Sequence, residues 1–170
     1  VRAHDFRRYL HKNLEDFIIE TPLEHPLDFL NKQFDASLIK DLQAKWIPYD
    51  FKKQNIDDFL KNLNIDKTVE ISSIQGGYSN AIKQLNKFIE VGYQDYAKYR
   101  SDPSKEASSQ LSPYFHSGQI STHEVFDKIS ELESWSPEFI NPKMVGRREG
   151  WWGSSENFES FMDELITWRE

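Results

Sequence analysis

The strongest constraint on this chain is a helical apolar period that recurs along most of its length. Phe6, Leu10, Leu14 and Phe17 follow one another at spacings of three and four. That spacing predicts an amphipathic helix over 5–19 which exposes Arg7, Arg8, Lys12 and Glu15. The stretch from Thr21 to Pro26 reads as a break. Ser37 is placed to cap a helix with Leu38, Leu42 and Ala44 inward, and Asn55 to cap another with Phe59, Leu60 and Leu63. Gly76-Gly77 precedes an apolar face of Ala81, Ile82, Leu85, Phe88 and Ile89 that ends near Gly92. Ser121-Thr122-His123-Glu124 is a capping box ahead of Val125, Phe126, Ile129 and Leu132. A last helix starts near Ser154 or Ser155 and carries Phe158, Phe161, Met162, Leu165 and Trp168. Strand-like alternation is confined to Thr68–Ile74, which is expected to be extended coil. The predicted class is all-α, helices joined by irregular loops.

Composition narrows the function classes. With 170 residues, 38% of them hydrophobic, the chain is long enough for one core of domain size. It has no run near the roughly 20 apolar residues of a membrane span. The absence of cysteine excludes a disulfide framework, a thiolate metal site and a cysteine nucleophile. The five histidines form no HExxH pattern, so a metal role is not expected. A formal net charge of −7 argues against a generally basic nucleic-acid binder, and any DNA contact must be local. Nothing like a signal peptide opens the chain, so a cytoplasmic setting is expected. The chain starts on Val1 and stops at Trp168-Arg169-Glu170 inside a helical pattern with no stop signal. Both ends are therefore expected to be cuts through a longer sequence.

The segment Ser108-Ser109-Gln110-Leu111-Ser112-Pro113 combines hydroxyls with a helix start. Ser112 at the cap bonds an early amide, and Pro113 at the first helical position sacrifices no hydrogen bond. A helix N-terminus also presents unpaired N–H groups and the positive end of the macrodipole, which suits a phosphate. On these residues alone two readings stay open: a phosphate cradle, or a simple helix cap with surface serines. Tyr96 and Tyr99 read in the same way as half-buried packing residues with wetted hydroxyls.

Tyr96-Ala97-Lys98-Tyr99-Arg100-Ser101-Asp102-Pro103, followed by Ser109-Gln110-Leu111-Ser112-Pro113-Tyr114-Phe115-His116-Ser117-Gly118-Gln119-Ile120-Ser121, spans about twenty-six positions. It resembles the YxxxRNxP and SxLSPYLHFGQIS signature of the DNA photolyase and cryptochrome family. The resemblance implies the N-terminal part of that family's helical FAD-binding domain. Tyr96 takes the place of the tyrosine whose hydroxyl contacts the flavin phosphates, and Ser108, Ser109, Gln110, Leu111 and Ser112 take the place of the phosphate loop. Ser101 stands where Asn or Asp is usual, Ser108 where Thr is common, and Ser117 where an aromatic is usual. Residues 2–11, and Ile65-Asp66-Lys67-Thr68-Val69 with Gly76-Gly77, are similar to segments of the class II type of cyclobutane pyrimidine dimer photolyase, whose longer gap the spacing of Glu164 and Trp168 also suits. The implied organisation is residues 1–50 leading out of an antenna domain and residues 51–170 as a partial flavin domain.

Glu164 and Trp168 are four apart in the helical pattern, with Phe161 three before Glu164, so all three are expected on one face. Read without the family, they are a surface glutamate and a core tryptophan. Glu164-Leu165-Ile166-Thr167-Trp168-Arg169-Glu170 resembles the photolyase helix that faces the dimer, with a gap between glutamate and tryptophan one residue longer than in class I. The resemblance implies Glu164 and Trp168 as catalytic residues on the lesion, and Phe161 and Arg169 as further FAD contacts. The implied activity is light-driven splitting of pyrimidine dimers by an electron from excited, reduced FAD. The implied partners are UV-damaged DNA and an antenna chromophore, in a monomer with no membrane association. Alternatives are a cryptochrome-like photoreceptor without repair and a non-catalytic helical interaction domain. Lys143 with Arg147-Arg148 reads as a solvated loop or a DNA phosphate contact, and Trp151-Trp152 as core anchors or a redox pair. Residues 134–155 have no family counterpart.

Overall fold

In a computed structural model, which describes residues 2–18, 23, 28, 36–46, 50, 55–69 and 72–168, helices follow the apolar period closely. Among the described residues there is no strand, and no helix is long and apolar enough to cross a membrane. The chain divides into two compact units, residues 1–22 with 75–170, and residues 23–74.

The smaller unit contains α3 (Ala36–Lys45) and α4 (Ile56–Asn62). Asn55 caps α4 as expected, its side chain accepting from the Asp57 N–H at 2.9 Å. No described side chain of this unit is fully buried, and residues 68, 69 and 72–74 are irregular. The expected break at 21–26 lies outside the described residues except for Leu23.

The larger unit is built on α1 (Ala3–Asn13), α2 (Glu15–Ile18), α5 (Tyr78–Lys87), α6 (Tyr96–Tyr99), α7 (Ser112–His116), α8 (Thr122–Leu132) and α9 (Glu156–Met162). The single helix expected over 5–19 is divided at Leu14. Arg7, expected on the solvent side, is 7% exposed, because an acidic partner waits in α9's extension. Both α5 and α9 run on into wide π-type turns, Phe88–Gly92 and Asp163–Thr167. Gly92 ends the first because the chain crosses Glu106 there: a Cβ would lie 2.7 Å from that carbonyl oxygen.

A seven-residue helix such as α9 is marginal by itself, so its stability comes from burial. Phe158, Phe161, Met162 and Leu165 are each 5% exposed or less, and a fully buried side chain of this size contributes ~1.5–3 kcal/mol. They join two aromatic clusters. On one side Phe161 packs on Phe88 and Tyr96, both at 5.2 Å between ring centroids. On the other, Phe158 stacks on Trp135 at 5.5 Å and meets Trp152 edge-on at 5.7 Å. Trp151 is 1% exposed and stacks on His11 of α1 at 3.9 Å, so the tryptophan pair anchors the core. Glu159 is buried beneath the 150–154 loop and accepts the Gly153 N–H at 2.9 Å. Burial pushes its carboxyl up, and backbone amides of that loop offset part of the shift.

Candidate functional site

A cavity of about 450 Å³ opens between α6, the loop before α7, and α9 with its π turn. It is lined by Tyr96, Arg100, Ser108, Ser109, Gln110, Ser112, Phe161, Glu164 and Trp168, among others. Eight of the ten residues singled out from the sequence are therefore brought together. Leu111 does not line the cavity: it is 0% exposed and anchors the loop from the core side. Arg169 lies outside the described residues.

Each wall is held by specific bonds. Asn157 of α9 accepts the Ala97 N–H at 2.9 Å and donates to the Gln94 carbonyl at 2.8 Å, which ties α6 beside α9 and sets Tyr96 opposite Glu164. The Gln84 side chain of α5 donates to the Ser109 carbonyl at 3.0 Å and fixes the serine loop. Gln110 takes a left-handed conformation, φ 54°, which is rare outside glycine and is found where the surroundings enforce it. Ser112 is not the cap that the sequence predicted. Leu111 is already near helical geometry, so Ser112 and Pro113 are the first two helical residues. Ser112 lines the cavity.

Electrostatics divide the cavity. Arg100 donates to Glu164 across it and lies 5.9 Å over the Tyr96 ring. Burial pushes the Tyr96 hydroxyl above the usual range; Arg100 opposes that, while Glu164 and Asp163 add to it. Tyr96 therefore stays a neutral donor. Arg100 belongs to the signature but drew no role from the sequence, where only its place in the motif marked it.

Asp163 was missed altogether. Its carboxylate is 4% exposed and takes two bonds from Arg7, Nε at 2.8 Å and a terminal nitrogen at 2.9 Å. It also accepts the Trp168 indole N–H at 3.1 Å, and Arg148 Nε lies 3.7 Å away. Burial alone would raise this carboxyl, but Arg7, Thr167 and Trp168 hold it below the usual range. The α-helical face predicted for Glu164 and Trp168 is replaced by the π turn, closed by the Trp168 N–H on the Asp163 carbonyl at 3.1 Å. A π turn is how a helix takes up one extra residue. The long gap between Glu164 and Trp168 is thus absorbed locally.

The donor set fits a dinucleotide's phosphates: a buried phenol, three serine hydroxyls, an amide and a guanidinium on one wall, with an aromatic floor of Phe161 and Tyr96. Among the described residues no group of three or more acidic or histidine side chains is placed to hold a metal.

Comparison with known proteins bears on this geometry. No family model matches the chain. The chain is 32% identical over 107 residues to the deoxyribodipyrimidine photo-lyase of Methanothermobacter thermautotrophicus, covering 63% of this chain and 23% of that protein. It is 27% identical over 153 residues to the deoxyribodipyrimidine photo-lyase of Potorous tridactylus, covering 86% and 25%. It is 50% identical over 85 residues to cryptochrome-2 of Arabidopsis thaliana, covering 43% and 14%. Over part of its length the chain is similar to photolyases and cryptochromes. It spans a quarter or less of the length of these curated relatives. The helical architecture agrees with the flavin-binding domain of that family.

Proposed function

We propose that residues 51–170 form part of an FAD-binding domain in a light-driven photolyase that splits cyclobutane pyrimidine dimers, with α1 in the same compact unit as residues 75–170. The observation that carries this reading is the convergence of Tyr96, the 108–112 loop and Phe161 with Glu164 and Trp168 on one cavity. The Tyr96 hydroxyl and the Ser108, Ser109 and Ser112 hydroxyls would hold the phosphates, with the Gln110 amide alongside. When bound, the flavin would supply the light-driven electron. Glu164 would hydrogen-bond the damaged bases, and the half-exposed Trp168 ring would pack on them. Arg100 holds the Glu164 carboxylate aimed across the cavity until a ligand competes for it. The resemblance of residues 2–11, and of 65–69 with Gly76-Gly77, supports the class II type.

The match to cryptochrome-2 supports a second reading, a flavin photoreceptor without repair. Light-dependent loss of dimers from irradiated DNA, measured with the intact protein before and after Trp168→Ala, separates the two. Repair that falls in the variant supports the first reading; bound flavin without any light-dependent dimer loss in the wild-type protein refutes it.

A further inference from the structure

Trp168 poses a physical problem that its neighbours resolve. An indole 53% exposed at the end of a helix has several rotamers open to it, and a ring that must meet a flat ligand gains from being held in one. We propose that Asp163 is a positioning residue, held rigid by Arg7, whose carboxylate pins the Trp168 indole against the cavity and fixes the wall that a ligand's aromatic ring meets. Only the choice of a pyrimidine dimer as that ligand rests on the repair reading.

Three observations support it. The Asp163 carboxylate has no freedom of its own, because Arg7 takes both oxygens from 156 residues away in sequence, with both groups buried. One of those oxygens, Oδ2, also accepts the indole N–H at 3.1 Å. The backbone of the same two residues closes the π turn, so side chain and main chain fix Trp168 relative to one residue. The neighbouring Glu164 faces the other way, into the cavity, and bonds Arg100. Two adjacent carboxylates thus divide the work: one meets the ligand and the other holds the ring beside it.

The test uses the intact protein with ¹⁵N-labelled indoles, the Trp168 signal being assigned by its loss in Trp168→Phe. Two variants probe the acceptor. Arg7→Met with Asp163→Leu removes the ion pair as a pair, so no charge is left buried alone, and it leaves the indole with no acceptor. Asp163→Asn keeps the shape and offers a weaker, neutral acceptor. In the double variant the Trp168 indole signal should move upfield and lose its protection from hydrogen exchange, with a smaller upfield move in Asp163→Asn. Preference for dimer-containing over undamaged DNA should fall about fivefold or more in the double variant. The same double change made in Trp168→Phe should alter that preference less than about twofold. An indole signal that keeps its shift and protection in either folded variant overturns the positioning role. If that signal moves while Trp168→Phe keeps wild-type preference, the positioning role stands and the lesion role of Trp168 fails.

Discussion

Removing two hydroxyls, Tyr96→Phe together with Ser112→Ala, isolates flavin binding from folding. The Tyr96 ring is 6% exposed and packs at 5.6 Å on Phe88 and 5.2 Å on Phe161, contacts that phenylalanine keeps. Ser112 is the first helical residue and not the cap, a position where alanine, the best helix former, is well suited. What both changes remove is a neutral donor on the cavity wall. A hydrogen bond to a charged phosphate oxygen contributes ~1.5–3 kcal/mol net. Two of them in one site, not fully additive, come to about 3–5 kcal/mol, and each 1.4 kcal/mol is tenfold in affinity. Flavin affinity should therefore fall by about 100-fold to several thousand-fold, while the unfolding midpoint of the flavin-free protein stays near that of the wild type. Flavin released per mole of protein on denaturation, with Kd from fluorescence titration, measures it. Wild-type stoichiometry and Kd in the double variant would refute the phosphate role of this wall.

Three further outcomes follow from the same contacts. Glu164→Gln keeps the shape and some hydrogen bonding but loses the charge, so bound flavin should be unchanged while light-driven dimer loss falls severalfold; equal dimer loss per absorbed photon would show that Glu164 is only a surface partner of Arg100. His11 is held near pH 4 by burial, then by Arg7, with Asp163 partly opposing, against an unfolded value of 6.5. The folded state binds fewer protons between those values, so stability is complete above pH 6.5 and is lost as pH falls toward 4. Discounted for the half-exposed ring, the loss is ~1–2 kcal/mol, and urea unfolding at both pH values should show a smaller loss in His11→Phe. Gly153→Ala places a Cβ 2.1 Å from the Phe139 carbonyl oxygen at φ +66°, and should cost ~2 kcal/mol or more in denaturant unfolding.

Local signals in the sequence found most of the helices, and they failed where a distant partner decided the outcome. Asn55, Ser121 and Ser155 were readable as caps because their bonds are made within a few residues, and each accepts the expected amide. The capping box was only half right: Glu124 takes the Tyr78 hydroxyl rather than reaching back to Ser121. Arg7 fell on the polar side of its stripe, and no periodicity could place it opposite Asp163. The π turn at 163–167 was hidden for a related reason, since a 3.6-residue period tolerates one extra residue at a helix end without losing its apolar match. The cavity wall was legible from the family signature, whereas Asp163 sits in no signature and becomes visible only when its three donors converge.

On the FAD-binding reading, a chain of net charge −7 needs its field arranged locally if it is to hold phosphates. Among the described residues Arg100 is the guanidinium that lines the cavity, and Glu164 already takes part of its charge. Much of the work of holding a phosphate then passes to neutral donors: the Tyr96 phenol, whose proton burial retains, and the serine hydroxyls with the Gln110 amide. Neutral donors release no counterions and carry no long-range field, so they bind by geometry, and a loop fixed by Gln84 with a left-handed residue at Gln110 supplies that geometry in advance. The acidic surface is therefore no obstacle to the cavity's chemistry. On the repair reading, DNA attraction would fall to local basic side chains, and Arg148, half-exposed and 3.7 Å from Asp163 beside Trp168, is one candidate.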